Sequence, residues 1–231
     1  MARRQARLAT LRHPERFRLV VHAFVEGGTE LDYLQKIARG RNVRIMEERT
    51  SSSPVALLGS AMKWCVDNAR ILRASGCVDE VWVLFDEDEK IGEVDAVGRL
   101  WQQCAEECMR TCRVRDRKRC DFDDVLGKIN VGFSKPCIEL WALMCVAETP
   151  ERTQFAGNRH ALQSQLAKMM PGYDHNRHPY FDVFKMSSWR KACELASQWE
   201  QTFGKFPACI AATRYVGIAP LVRRIMNEER V

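Results

Sequence analysis

The chain has 231 residues, 46% hydrophobic and 29% charged, with a formal net charge of +6. That balance belongs to an ordinary globular protein and excludes disordered and collagen-like chains. No uninterrupted apolar stretch approaches the roughly 18 residues that a bilayer span needs, so no membrane association is expected.

Residues 1–16 are rich in Arg but carry no apolar segment. They read as a solvated basic tail, not a secretory signal, and the protein is expected in the cytoplasm. Phe17 to Val25 is an apolar run that predicts a strand, closing on Glu26-Gly27-Gly28. Thr29 fits a helix N-cap with Asp32 three residues on, and Leu31, Leu34 and Ile37 keep helical spacing as far as Gly40. His22 lies inside the strand, where a satisfied core histidine is the natural reading. Asn42 to Arg49 is a shorter and more polar strand, suited to a sheet edge. Ser53 and Pro54 then cap and open a second helix through Leu57, Ala61, Trp64 and Cys65.

The next strand is the centre of the sequence. Val81-Trp82-Val83-Leu84-Phe85 runs without alternation into Asp86-Glu87-Asp88-Glu89. A short run this apolar predicts a strand buried on both faces. The acids at its carboxyl end are either a solvated turn or a hard-cation site. A third helix follows from about Val94 to Cys112, then a charged connection from Arg113 to Asp124 and a fourth strand from Val125 to Phe133. The β-α-β-α-β-α-β order predicts a parallel sheet covered by helices, with all four strand ends on one rim. From Pro136 the chain predicts a helix apolar all round, in which Glu139 is the only charge before Glu148. Burying a lone carboxylate costs several kcal/mol unless it is paired or meets a cation. The alternative role is an acid at the positive helix end, worth about 0.3–1 kcal/mol. Residues 158–170, 188–203 and 218–229 have helical spacing. The loop between the first two contains His175 and His178, a weak metal signal.

Two basic clusters stand out, one from Arg3 to Arg18 and one from Arg110 to Arg119. Beside an acidic strand end they suit a protein that handles phosphodiesters, though solvated basic surfaces explain them too. The ten cysteines include no Cys-x-x-Cys pair. Without a secretion signal, disulfides are not expected. Cys104, Cys108 and Cys112 form one helical stripe whose ends lie about 12 Å apart, too far to share an ion. They read as small core residues.

Val25-Glu26-Gly27 with Thr29-Glu30, then Val81 to Asp88, then Phe133-Ser134-Lys135-Pro136-Cys137-Ile138-Glu139-Leu140-Trp141, together resemble the RloB-like family. That family resembles a branch of the TOPRIM superfamily, marked by a glutamate after the first strand and an Asp-x-Asp after the third. The resemblance implies an α/β fold with a TOPRIM-like parallel sheet of about four strands over residues 17–135, and a helical part over 136–231 packed on it. It further implies a Mg2+-dependent (or Mn2+-dependent) nuclease, with Glu26, Asp86 and Asp88 holding the metal and Glu139 as an outer acid or a ligand to a second ion. Glu26 is alternatively the general base. Lys135 would clamp phosphate, with Arg214 as a further substrate contact. The implied partners are nucleic acid, an ATPase and a second copy of the chain, in a toxic anti-phage effector. Two other classes stay open: a non-catalytic module that binds nucleic acid or the ATPase, and a nucleotidyl transferase. The chain departs from the family at Lys135, where it usually has Asn, at Tyr173-Asp174-His175 in place of Tyr-x-Lys, and at Ala211-Ala212-Thr213 in place of Asn-Pro-x-Thr.

Overall fold

β1 (Leu19–Val25) is buried along almost its whole length, as its apolar sequence demands. The turn after it opens α1 (Gly28–Ala38), which leads to β2 (Val43–Thr50). α2 (Pro54–Asp67) and the short α3 (Ala69–Leu72) precede β3 (Asp79–Asp86). The long α4 (Ile91–Val114), β4 (Ile129–Lys135) and α5 (Glu139–Val146) follow. α6 (Arg159–Met169), α7 (Trp189–Phe203), a 3-10 turn (Ala208–Ala211), β5 (Tyr215–Val216) and α8 (Ala219–Asn227) complete the order. The structure is a computed structural model, and it describes residues 17–72, 79–87, 91–114, 128–147, 159–174 and 188–228. The basic tail, most of the charged connection after α4, and His175 and His178 lie outside the described residues.

The strands form one sheet in the order β2-β1-β3-β4-β5. The first four pair in parallel, as the alternating pattern predicts. β2 is the edge, partly exposed and polar, as its sequence anticipates. The chain moves outward from β1 to β2 and then back past β1 to β3. With right-handed crossovers, that reversal places α1 on one face of the sheet and α2 and α4 on the other. It also leaves a crevice at the carboxyl ends of β1 and β3, the place where such sheets take ligands.

β5 is the departure from the expected four strands. It is antiparallel, only two residues long, and pairs Tyr215 with Lys135 and Val216 with Ser134. Two residues leave no apolar run in the sequence. What allows the strand is Gly217, whose N–H donates to the Phe133 carbonyl at 2.8 Å. A Cβ on Gly217 would lie 2.7 Å from the Phe133 nitrogen, so only glycine fits this approach.

Local chemistry explains the helix starts. Ser53 accepts from the Ala56 N–H at 3.5 Å, with proline in the first turn, as expected. α1 differs: it starts at Gly28 with Gly27 as a cap that supplies no side-chain bond, so Thr29 is not the cap. α5 starts at Glu139, not at Pro136, with Ile138 as its N-cap. α5 is buried on every side. It is tied to α1 by the Trp141 indole N–H, which donates to the Tyr33 hydroxyl at 2.7 Å. Leaving either buried group unsatisfied would cost about 1–3 kcal/mol. Cys104 packs partly buried against the core with its Sγ 3.6 Å from the Met62 sulfur. The side chains of Cys108 and Cys112 lie outside the described residues.

His22 is fully buried at the centre of β1. Its Nδ1 lies 3.0 Å from Glu48 and its Nε2 3.0 Å from Asp79, so one ring bridges all three strands β2, β1 and β3. The indole of Trp64 covers it at a centroid distance of 4.2 Å. Burial alone would favour the neutral ring, but the hydrogen bonds and charges of Asp79 and Glu48 outweigh it and raise the pKa. A raised folded pKa means stability that is fully present below the unfolded value of about 6.5 and is lost as pH rises through the folded one. We expect His22→Gln to lower stability by on the order of 2–4 kcal/mol at pH 6. The gap to the parent should narrow as pH climbs towards 9. Urea unfolding at several pH values measures it, and a pH-independent gap would mean that the ring is neutral in the fold.

Candidate active site

Glu26 is the first residue after β1 and Asp86 the last of β3, and these strands are neighbours. Their pairing runs to the rim, where the Glu26 N–H donates to the Leu84 carbonyl at 3.0 Å. The Asp86 N–H then donates to Glu26 Oε2 at 2.9 Å. Asp86 Oδ2 in turn accepts the Ile138 N–H at 3.1 Å, just before α5 begins. One chain of hydrogen bonds thus links the ends of β1 and β3 to the start of α5.

Two more acids crowd the same point. Glu139, the first residue of α5, is only 3% exposed. Glu30, in the first turn of α1, is 5% exposed, and its Oε2 has no hydrogen-bond partner. Burial, reinforced by the charges of Glu26 and Glu139, pushes the Glu30 carboxyl up to about 8 despite the Glu30 and Gly27 N–H groups that oppose the shift. Asp86 is raised well above the usual carboxylate range, first by burial and then by Glu30 and Glu139, against the Ile138 N–H. The positive ends of α1 and α5 soften this repulsion, each worth about 0.3–1 kcal/mol to a nearby anion. Carboxylates converging on one rim, two of them buried, offer the oxygen donors that a hard divalent cation suits. As the side chains stand, however, no three or more Asp, Glu, His or Cys among the described residues are arranged to hold an ion.

The model of the RloB-like protein family matches residues 22–214 of this chain, from the middle of β1 to the approach to β5. The chain belongs to the RloB-like family. No curated protein and no solved structure gives a match. The matched span includes Glu26, Glu30, Asp86 and Glu139.

Of the other predicted site residues, Lys135 and Arg214 are described. Asp88 lies outside the described residues. Lys135 stands at the rim but is engaged: its Nζ lies 2.6 Å from Glu87 and donates to the Ile210 carbonyl at 3.1 Å. It fastens the 3-10 turn to the strand end, and any phosphate contact would be additional to that. Arg214 points elsewhere, its guanidinium stacked over Trp199 of α7 at 5.0 Å.

Two residues in the site carried no assignment in the sequence reading. Glu30 follows Glu26 by four positions across a strand-to-helix turn, and that spacing is the signal that could have found it. Tyr173, in the loop after α6, stands against Glu139; burial and then that carboxylate raise its phenol pKa. Cys137 is also beside Glu139 and Asp86, and its thiol is raised chiefly by burial, so it is a neutral neighbour and no nucleophile.

Glu30 gives a test of the crowding. Its folded pKa of about 8 lies above the unfolded value, so the folded state binds more protons and loses stability as pH rises between them. In EDTA, Glu30→Gln should therefore raise Tm at pH 8 by roughly 3 °C or more and by little at pH 5. Equal gains at both pH values would show that Glu30 is not held among other carboxylates.

Proposed function

We propose that this chain is a divalent-metal-dependent nuclease that cleaves phosphodiester bonds in nucleic acid. The observation that carries the reading is the convergence of Glu26, Glu30, Asp86 and Glu139 at the crevice between β1 and β3, with Glu30 and Asp86 driven up in pKa by burial and by the neighbouring carboxylates. Four acids that meet at the carboxyl ends of neighbouring parallel strands, two of them buried, form a functional arrangement because their repulsion is relieved when a cation or proton joins them.

Glu26, Asp86 and Glu139 would hold Mg2+ or Mn2+, with Glu30 behind them and Asp88 assigned from sequence alone. Oxygen donors without thiolate or imidazole select these metals over zinc. When bound, the metal supplies an activated water and charge stabilisation for the leaving oxygen. The protein's own contributions are positional. The Asp86 N–H holds one Glu26 oxygen and the Ile138 N–H holds one Asp86 oxygen, which fixes both carboxylates relative to the strand ends. Lys135 offsets the charge of Glu87, which lowers the repulsion that a polyanion meets beside Asp86. Alternatively, Glu26 would serve as the general base that takes a proton from the attacking water.

From the family's likeness to components of anti-phage loci we also read the chain as a toxic effector that works beside an ATPase. A non-catalytic nucleic-acid or ATPase-binding module is the second reading. One observation favours it: no group of three acids among the described residues already has a coordinating arrangement.

Incubation of purified protein with plasmid DNA and total RNA, in Mg2+, Mn2+ or EDTA, separates the two. We expect metal-dependent cleavage that falls at least about 100-fold in Glu26→Ala and Asp86→Ala, the size of loss expected when an activating group is removed. Cleavage that survives EDTA, or that both variants retain, would overturn the reading.

A further inference from the structure

A cleft of about 470 Å³ opens at the same rim, between α4 and the 3-10 turn. Glu87 and Lys135 form its inner end, one residue beyond Asp86 of the acid cluster. Gly98 of α4 makes the cleft narrow at its floor: a Cβ there would come within 2.9 Å of Ile210 Cδ1, so the turn lies directly on the helix. The walls are Ile91, Val94, Pro207 and Ile210, with Ile91 60% exposed.

The charges of the lining balance. Lys135 is paired with Glu87 at 2.6 Å, and Arg99 is accompanied by Asp95 on the same helix face. A phosphate cradle needs an excess of cations, and among the described residues the lining has none, with two acids and two bases. What it offers is an apolar slot edged by Gln102, Arg99 and Asp95, which between them donate and accept hydrogen bonds. That is the chemistry of a flat, uncharged heterocycle, and the volume falls in the range of small-molecule sites.

We propose, resting on the nuclease reading of the rim, that the cleft between α4 and the 3-10 turn takes one unstacked base next to the scissile phosphate. The substrate is then single-stranded, or is opened at that position, because a base within a duplex cannot enter a side pocket. Ile91 and Ile210 pack on its faces and Gln102 reaches its edge. Lys135 and Glu87 hold the turn that forms one wall.

The test is binding of fluorescent single-stranded oligonucleotides to the full chain, measured by anisotropy in EDTA so that no cleavage intervenes. Each oligonucleotide carries one abasic position, moved along its length. The protein is the parent or the double variant Ile91→Ala, Gln102→Ala, whose changes lie on exposed positions outside the acid cluster. Losing one stacked base should weaken parent binding about tenfold at one abasic position. The double variant should bind the intact strand about as weakly and show no abasic penalty. Equal binding of all abasic strands by the parent, or a penalty that persists in the double variant, would overturn the proposal, as would duplex binding as tight as that of the single strand. Cleavage in Mg2+ is scored separately. Abasic discrimination without cleavage keeps the cleft and removes the nuclease reading; cleavage without discrimination does the reverse.

Discussion

The pairing of β1 with β3 is the constraint on which the rest of this structure depends. Both strands are apolar enough to be buried on both faces, so neither can lie at the edge, and the order β2-β1-β3-β4 follows. Parallel register then brings Glu26 beside Asp86 and lets a backbone N–H of one strand end hold the carboxylate of the other. Nothing in the site requires a special loop. The acids meet because two hydrophobic strands must, and because each is followed at once by acidic residues. The bridging imidazole of His22 braces the same strands from within, four positions below the rim.

Much of this was legible in the sequence for a simple physical reason. Uninterrupted apolar runs such as Val81 to Phe85 fix a strand and its burial together, and alternating strands and helices fix parallel topology and a common rim. Glu139 was legible because a charge in an otherwise apolar helix is costly wherever it lies. What the sequence hid depended on tertiary approach. β5 has two residues and exists because Gly217 can touch the Phe133 backbone. Lys135 looked like a phosphate contact from its position, but its partners, Glu87 and the Ile210 carbonyl, come from segments that local spacing cannot bring together. Tyr173 reaches Glu139 across some thirty residues of chain, and no periodicity reports a contact of that kind. The stacking of Arg214 on Trp199 was hidden for the same reason, since spacing does not report which ring a cation meets.

The helical part of the chain is no separate appendage to the sheet. α5 supplies one acid and the backbone donor to another, α1 and α5 share the buried Tyr33–Trp141 bond, and the turn before β5 is fastened to the rim by Lys135. Substitutions in the last third of the sequence therefore act on the same few ångströms as substitutions in β1 or β3. Energetic coupling between them is the expected behaviour for groups that share partners.

The close seating of Gly217 has a consequence for handling the molecule. β5 covers only the rim end of β4, the part that carries Ser134 and Lys135. If the chain after Arg214 is cut or pulled away, that stretch becomes an unprotected edge whose free amide and carbonyl groups invite a strand from another molecule. Truncations and bulky fusions near this point would then be read as insolubility or self-association, when their cause is two missing residues of pairing.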